Sequence, residues 1–221
     1  MTREIIERIR NPLNALQLNL DNLDQEIARL STENKEDIGE RLTRMRKSLA
    51  ELDSFLCEVL RFADVPKPQI TPVNMNALVR EVVVFATPES RKKELAVKVD
   101  LQENLPEIQG DPVQMKQAIL NLLLNAIEAC PGEGSVTVTT EAEGNEITLK
   151  ISDNGGGIPE SHRERIFEPF FSTKESRAGL GLALALEIVK MHQGRLSFTS
   201  EVGKESSFQI FVPIKGHSSK K

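Results

Sequence analysis

DPVQMKQAILNLLLNAIEA, residues 111–129, reads as a helix with its own start signal and a polar pair on an apolar body. Asp111 suits the N-cap, and Pro112 suits the first helical position, where a backbone N–H is not needed. The apolar helix then runs from about Val113 to Cys130. Asn121 and Asn125 stand four apart and share one face. Leu122, Leu123, Leu124, Ala126 and Ile127 surround them, so both carboxamides must meet something that satisfies them. An unpaired buried polar group costs about 1–3 kcal/mol. A carboxamide oxygen can ligate a hard cation such as Mg²⁺, which usually also keeps waters and phosphate oxygens.

The segments after this helix alternate at period two. SVTVTTE (135–141) and NEITLKISD (145–153) read as paired strands joined near Gly144 and Asn145. DNGGGIP follows. Asp153 can accept a hydrogen bond from an exocyclic amine, while Gly155 and Gly157 let the backbone turn sharply or approach a flat ring. Taken alone, Asp-Asn-Gly is a generic turn. AGLGLAL (178–184) places Gly179 and Gly181 before a helix near Gly181 to Met191, where free backbone amides can surround phosphate oxygens. Two glycines alone are weak evidence, and the order of the elements makes the case. RLSFTS and SSFQIFVP form another strand pair, residues 74–88 a helix, and Leu95 to Val99 a strand. The whole is a mixed α/β unit with helices on one side of a sheet. Phe167, Phe170 and Phe171 cluster as a local apolar anchor.

The first third of the chain has a different rhythm. Leu13, Leu16, Leu20, Leu23, Ile27 and Leu30 recur at steps of three and four, as do Ile38, Leu42, Met45, Leu49, Leu52, Leu56 and Val59. Such stripes fit two long helices, and the short polar break STENKED makes them an antiparallel hairpin. One hairpin cannot cover both stripes, so a second copy completing a four-helix bundle is the expected solution; packing of the stripes on the following domain is the alternative. The domain reading is therefore a hairpin over 1–65, a proline-containing linker over 66–73, an α/β domain over 74–215 and a polar tail over 216–221.

A net charge of -5 gives no general cationic surface for nucleic acid. No run of 18 apolar residues exists, so no membrane span is expected. The charged start MTREIIERIRN is unlike a secretory segment, and Cys57 and Cys130 lack metal-like or redox-like spacing. A cytoplasmic location is expected.

Residues 111–213 resemble the catalytic ATP-binding domain of bacterial sensor histidine kinases, within the wider ATPase group shared with gyrase, Hsp90 and MutL. DPVQMKQAILNLLLNAIEA resembles the N-box, ISDNGGGIP the first glycine box, RIFEPFFSTK the F-box and GLGLAL the second glycine box. Residues 1–62 resemble the dimerisation and phosphotransfer hairpin. The resemblance implies an α+β chain: a hairpin forming a dimeric four-helix bundle, then a Bergerat-type α/β sandwich. It implies ATP or ADP with Mg²⁺ as cofactors. Asn125 would ligate the Mg²⁺, Asn121 would lie beside the phosphates, and Asp153 would hold the adenine amino group. Gly155 and Gly157 would shape the adenine pocket, with Lys174, Gly179 and Gly181 also at the nucleotide. Hydrolysing relatives carry Glu where this chain has Asn121; an amide is no general base, so rapid hydrolysis is not expected. The lid departs from the family's pattern, with Arg177 and Ala178 in place of Gly and Thr.

The helix that should receive phosphate departs further. In ERIRNPLNAL (7–16), Glu7 stands at the histidine position and Arg8 at the neighbouring acid, while Ile9 to Leu13 keep the pattern. A guanidinium stays protonated and cannot accept the histidine's proton. His162 and His192 read as ordinary surface or boundary residues. The family also uses the residue four beyond the histidine to help remove phosphate from a response-regulator aspartate, and Asn11 holds that place; it also precedes Pro12, where it can simply satisfy backbone groups. The leading expectation is a nucleotide-binding regulatory protein of two-component signalling, homodimeric, with a response regulator as partner and no autophosphorylation at the usual position. A response-regulator phosphatase or phosphotransfer protein is the second reading, and an engineered or truncated kinase core the third.

Overall fold

A computed structural model of the chain describes Leu13, Asn14, Leu16, Gln17, Leu18, Leu20, Asp21 and Leu23, then residues 35–132, 134–174 and 178–214. The chain divides into two compact units, Met1–Val65 with Ser172–Leu180, and Pro66–Phe171 with Gly181–Lys221. The candidate residues Glu7, Arg8 and Asn11, and the lid residue Arg177, lie outside the described residues.

In the first unit, helix α1 spans Lys35–Ala63, and the described positions between Leu13 and Leu23 are helical too. Leu13, Leu20, Leu42 and Leu56 are buried, with Leu49, Val59 and Leu60 packed against the Leu13–Leu56 pair. Arg46 Nη2 donates to Asp21 Oδ1 at 2.8 Å and to the Leu20 carbonyl at 3.4 Å. Leu13 thus meets the late turns of α1 and Leu20 its middle, so the two segments run antiparallel as the stripes require. The stripes are only half covered. Leu16 is 54% exposed, Met45 55% and Leu52 43%.

The second unit has the element order β1 (Thr71–Val73), α2 (Met75–Lys92), β2 (Ala96–Leu101), β3 (Ile108–Gly110), α3 (Pro112–Ala129), β4 (Ser135–Glu143), β5 (Glu146–Asp153), α4 (Gly181–Met191), β6 (Arg195–Glu201) and β7 (Glu205–Pro213). Five strands form one sheet in the order β2-β4-β5-β7-β6, and β1 pairs with β3 alone. β2 lies parallel to β4, while the other pairs are antiparallel. Alternation puts Val136, Val138, Ile147, Leu149, Ile151, Phe208, Ile210 and Val212 in the core. Helix α3 covers that face with Met115, Ile119, Leu122, Leu123 and Ile127, all nearly inaccessible. Burial of side chains this size stabilises the fold by about 1.5–3 kcal/mol each.

Three features differ from the sequence reading. The helix expected over 74–88 passes Pro88 and ends at Lys92, closed by Leu95 N–H on the Ser90 carbonyl at 2.9 Å with Glu94 at φ 56°. Residues 66–73, read as a linker, contain β1. His192, read as a surface or boundary residue, is only 4% exposed. Its Nε2 accepts the Asp111 backbone N–H at 2.9 Å, which leaves Nδ1 to donate to the Ile188 carbonyl at 2.7 Å. Sequence placed it just past a helix end, whereas its partner comes from a distant turn.

Asp111 gathers the connector and α3 together. Its Oδ1 caps α3 by accepting from Val113 N at 2.9 Å and Gln114 N at 3.1 Å, and its Oδ2 accepts from Gln69 N at 2.8 Å. Gln114 Nε2 adds a bond to the Pro66 carbonyl at 2.8 Å. Burial alone would raise the Asp111 carboxyl, but the N–H groups of Gln69, Gln114 and Val113 outweigh it and hold the pKa below the usual value. A lowered folded-state pKa gives stability that is present above the unfolded carboxylate's pKa, about 3.9, and is lost as pH falls through the folded value. Asp111→Ala is expected to cost about 1–2 kcal/mol at neutral pH, with a smaller penalty near pH 3. Urea unfolding followed by circular dichroism at the two pH values checks this; equal penalties at both would refute it.

Candidate functional site

β5 delivers Asp153 to the edge of the core, where it is 4% exposed. The chain must then turn within a few residues, and side-chain space decides which residues allow it. Gly155 N–H donates to Asp153 Oδ1 at 3.0 Å, folding the turn over the carboxylate. A Cβ on Gly155 would lie 2.5 Å from the Ala129 carbonyl oxygen at the end of α3. Gly157 has φ +68°, and a Cβ there would run into the Glu201 carbonyl. Both glycines are therefore required by the path of the backbone. Gly203 N–H to the Gly156 carbonyl at 2.8 Å ties the turn to the β6–β7 connection.

Two residues at this turn were missed from the sequence. Asn154 Oδ1 accepts Ser135 N–H at 2.7 Å and holds the start of β4 to the turn. Cys130 lies beside it, with Sγ 3.6 Å from the same oxygen. Burial, and then the Asp153 charge, push the Cys130 thiol up, so it stays protonated and unreactive. Neither carries a sequence signal, since Asn is common in turns and the cysteine is isolated.

The two asparagines of α3 part ways. Asn121 Oδ1 accepts from Gln117 Nε2 at 2.9 Å, and its Nδ2 donates to the Gly181 carbonyl at 3.0 Å, linking α3 to the start of α4. Its carboxamide is thus already bonded at both ends. Asn125, half-buried, has no side-chain hydrogen-bond partner among the described residues. Asp153, Gly155, Gly157, Asn121, Asn125 and Gly181 belong to the same compact unit. Lys174 and Gly179 fall in Ser172–Leu180, which groups with the hairpin. There Lys174 is exposed in a turn where its N–H donates to Ser172 Oγ at 3.0 Å, and Gly179 has φ +70°.

The three phenylalanines read as one apolar anchor have separate surroundings. Phe167 packs edge-on against Phe198, with ring centroids 5.8 Å apart. Phe171 receives the Arg165 guanidinium 4.6 Å from its centroid and the His162 ring edge at 5.4 Å. Phe170 instead has φ +68° and is 59% exposed.

A family model described as histidine kinase-, DNA gyrase B-, and HSP90-like ATPase matches residues 110–216, which hold α3, the Asp153 turn and α4. The catalytic domain of histidine kinase ThkA superposes with a TM-score of 0.62 at 30% identity, covering 66% of this chain and 97% of that one. The chain belongs to the sensor histidine kinase family. The second unit is the Bergerat-type sandwich of histidine kinase catalytic domains. Sensor histidine kinase ZraS of Escherichia coli (strain K12) is 32% identical over 170 residues, covering 77% of this chain and 37% of that protein. The histidine kinase core described here thus spans well under half the length of that relative. Full-length ShkA, solved with AMPPNP, superposes with a TM-score of 0.78 at 25% identity, covering 99% of this chain and 46% of that one.

The residues present fit an adenine nucleotide and a hard cation. A buried carboxylate stands over a turn where side chains are excluded, and on the neighbouring helix stands a carboxamide with no partner among the described residues. Among the described residues, no group of three or more His, Cys, Asp or Glu side chains could hold a metal, and no helix is long and apolar enough to cross a membrane.

Proposed function

We propose that this chain is a histidine-kinase-like regulatory module of two-component signalling that binds ATP or ADP with Mg²⁺ and does not phosphorylate itself at the usual helix position. The observation that carries the nucleotide reading is the buried Asp153 carboxylate, held over Gly155 against the end of α3. Asp153 would accept the exocyclic amine of adenine. Asn125 would donate its amide oxygen to Mg²⁺, whose other ligands would be water and phosphate oxygens. The AMPPNP bound by ShkA supports the ligand class. Asn121, bonded to Gln117 and Gly181, would act by holding the start of α4 beside the nucleotide. Gly181, at the start of α4, would stand at the phosphate end.

The acceptor helix supports the second half of the reading. Glu7 offers a carboxylate where the family has an imidazole, and Arg8 offers no base. The half-covered leucine stripe supports a homodimer, since Leu16, Met45 and Leu52 are otherwise exposed to water. The family membership supports a response regulator as partner, and Asn11, four residues beyond Glu7 in the sequence, would be the residue to orient water towards its aspartyl phosphate.

Calorimetric titration of the whole chain with a non-hydrolysable ATP analogue and Mg²⁺, with a GTP analogue as control, tests the proposal. Binding of the adenine form in preference to the guanine form is expected. No heat at millimolar ligand would end the nucleotide reading. Light scattering on the same sample should give about twice the 24.6 kDa chain mass.

A further inference from the structure

Lys93 is the C-cap of α2, just before the left-handed Glu94 turns the chain into β2. That turn sends its side chain to the far end of α3. Lys93 Nζ lies 2.9 Å from the Glu128 carbonyl oxygen, 3.1 Å from that of Cys130 and 3.2 Å from that of Ile127. An ammonium has three N–H groups, and here each has a carbonyl to meet. Helix ends gather partial negative charge, and α3 has no basic residue in its own last turn. The one carbonyl missing from this set is that of Ala129, which faces the other way. It receives the Gly156 N–H at 3.4 Å and is the atom that forbids a side chain on Gly155. The end of α3 is thus gripped on one side by Lys93 and carries the Asp153 turn on the other.

We propose that Lys93 is a positioning residue for adenine recognition: by fixing the carbonyl end of α3 it sets where the Gly155–Gly156 turn rests, and so where the Asp153 carboxylate meets a base. This rests on the nucleotide reading above. Lys93 does not itself touch the base. Its loss shifts the turn by a fraction of a bond length, which matters for a directional hydrogen bond to the base and little for phosphate contacts made elsewhere.

The whole chain carrying Lys93→Met is titrated with Mg²⁺ and either a non-hydrolysable ATP analogue or the matching inosine analogue, which lacks the exocyclic amine. The unaltered chain should prefer the adenine form. Lys93→Met should weaken adenine binding about tenfold, the scale of one hydrogen bond to a charged group, and leave inosine binding within about twofold. Lys93→Gln, which keeps two N–H donors, should fall between and decides the matter if Lys93→Met fails to fold. A folded variant that keeps the full adenine preference would overturn the proposal while leaving the nucleotide site intact. An unaltered chain that binds both analogues equally, or neither, would overturn the role of Asp153 and this proposal together.

Discussion

Asp153→Ala is expected to weaken binding of an adenine nucleotide by about 10- to 100-fold, because a hydrogen bond to a buried carboxylate contributes about 1.5–3 kcal/mol. The loss should be selective. An inosine nucleotide, with no amine to donate, should lose much less. Asp153→Asn gives a sharper comparison, since its amide oxygen can still accept the Gly155 N–H and keep the turn. What the amide changes is the second atom, which becomes a donor facing a donor. Calorimetry of the two variants with both nucleotides separates recognition from folding. Equal losses for adenine and inosine would assign Asp153 to the turn alone.

The second large effect concerns the acceptor helix. Incubation with labelled ATP should leave no acid-labile, base-stable phosphate on the unaltered chain. Glu7→His alone should restore little, because Arg8 cannot take the imidazole proton. Adding Arg8→Glu should raise phosphorylation by about 10²-fold or more, the usual contribution of a positioned general base. Site-resolved mass spectrometry distinguishes the new histidine from His162 and His192. Phosphate on either of those would refute the reading, and equal failure of both variants would place the defect in the ATP-binding unit.

How far the sequence could be read depended on whether a signal was local. The α3 boundaries follow from Asp111, Pro112 and the leucine face, all within one segment. The start of α4 at Gly181 was legible for the same reason. β1 and β3 are too short to show an alternation, and among the described residues each pairs only with the other. The Lys93 grip could not be foreseen, because a lysine at a helix end normally looks solvated and its carbonyl partners belong to another helix. The burial of His192 was hidden in the same way, since its donor, the Asp111 amide, lies far back in the chain. Asp153 and its glycines were readable as a turn, but only the closeness of the Ala129 carbonyl gives Gly155 a physical reason.

Strand order also sets when the proposed Asp153 site is first complete during synthesis. β5 and β4 form a local hairpin across Gly144, which closes at little entropic cost as soon as both have been synthesised. Asp153, however, lies opposite Ser206 of β7, and the turn beyond it hangs on Gly203. A nascent chain on the ribosome must therefore carry a finished hairpin with one bare edge until β7 has emerged. During that interval the proposed Asp153 site is incomplete, and nucleotide is not expected to template the early fold. On the proposed reading, ligand stabilises only a polypeptide translated through β7, and termination before that strand leaves an open sheet edge for chaperones or proteases to meet.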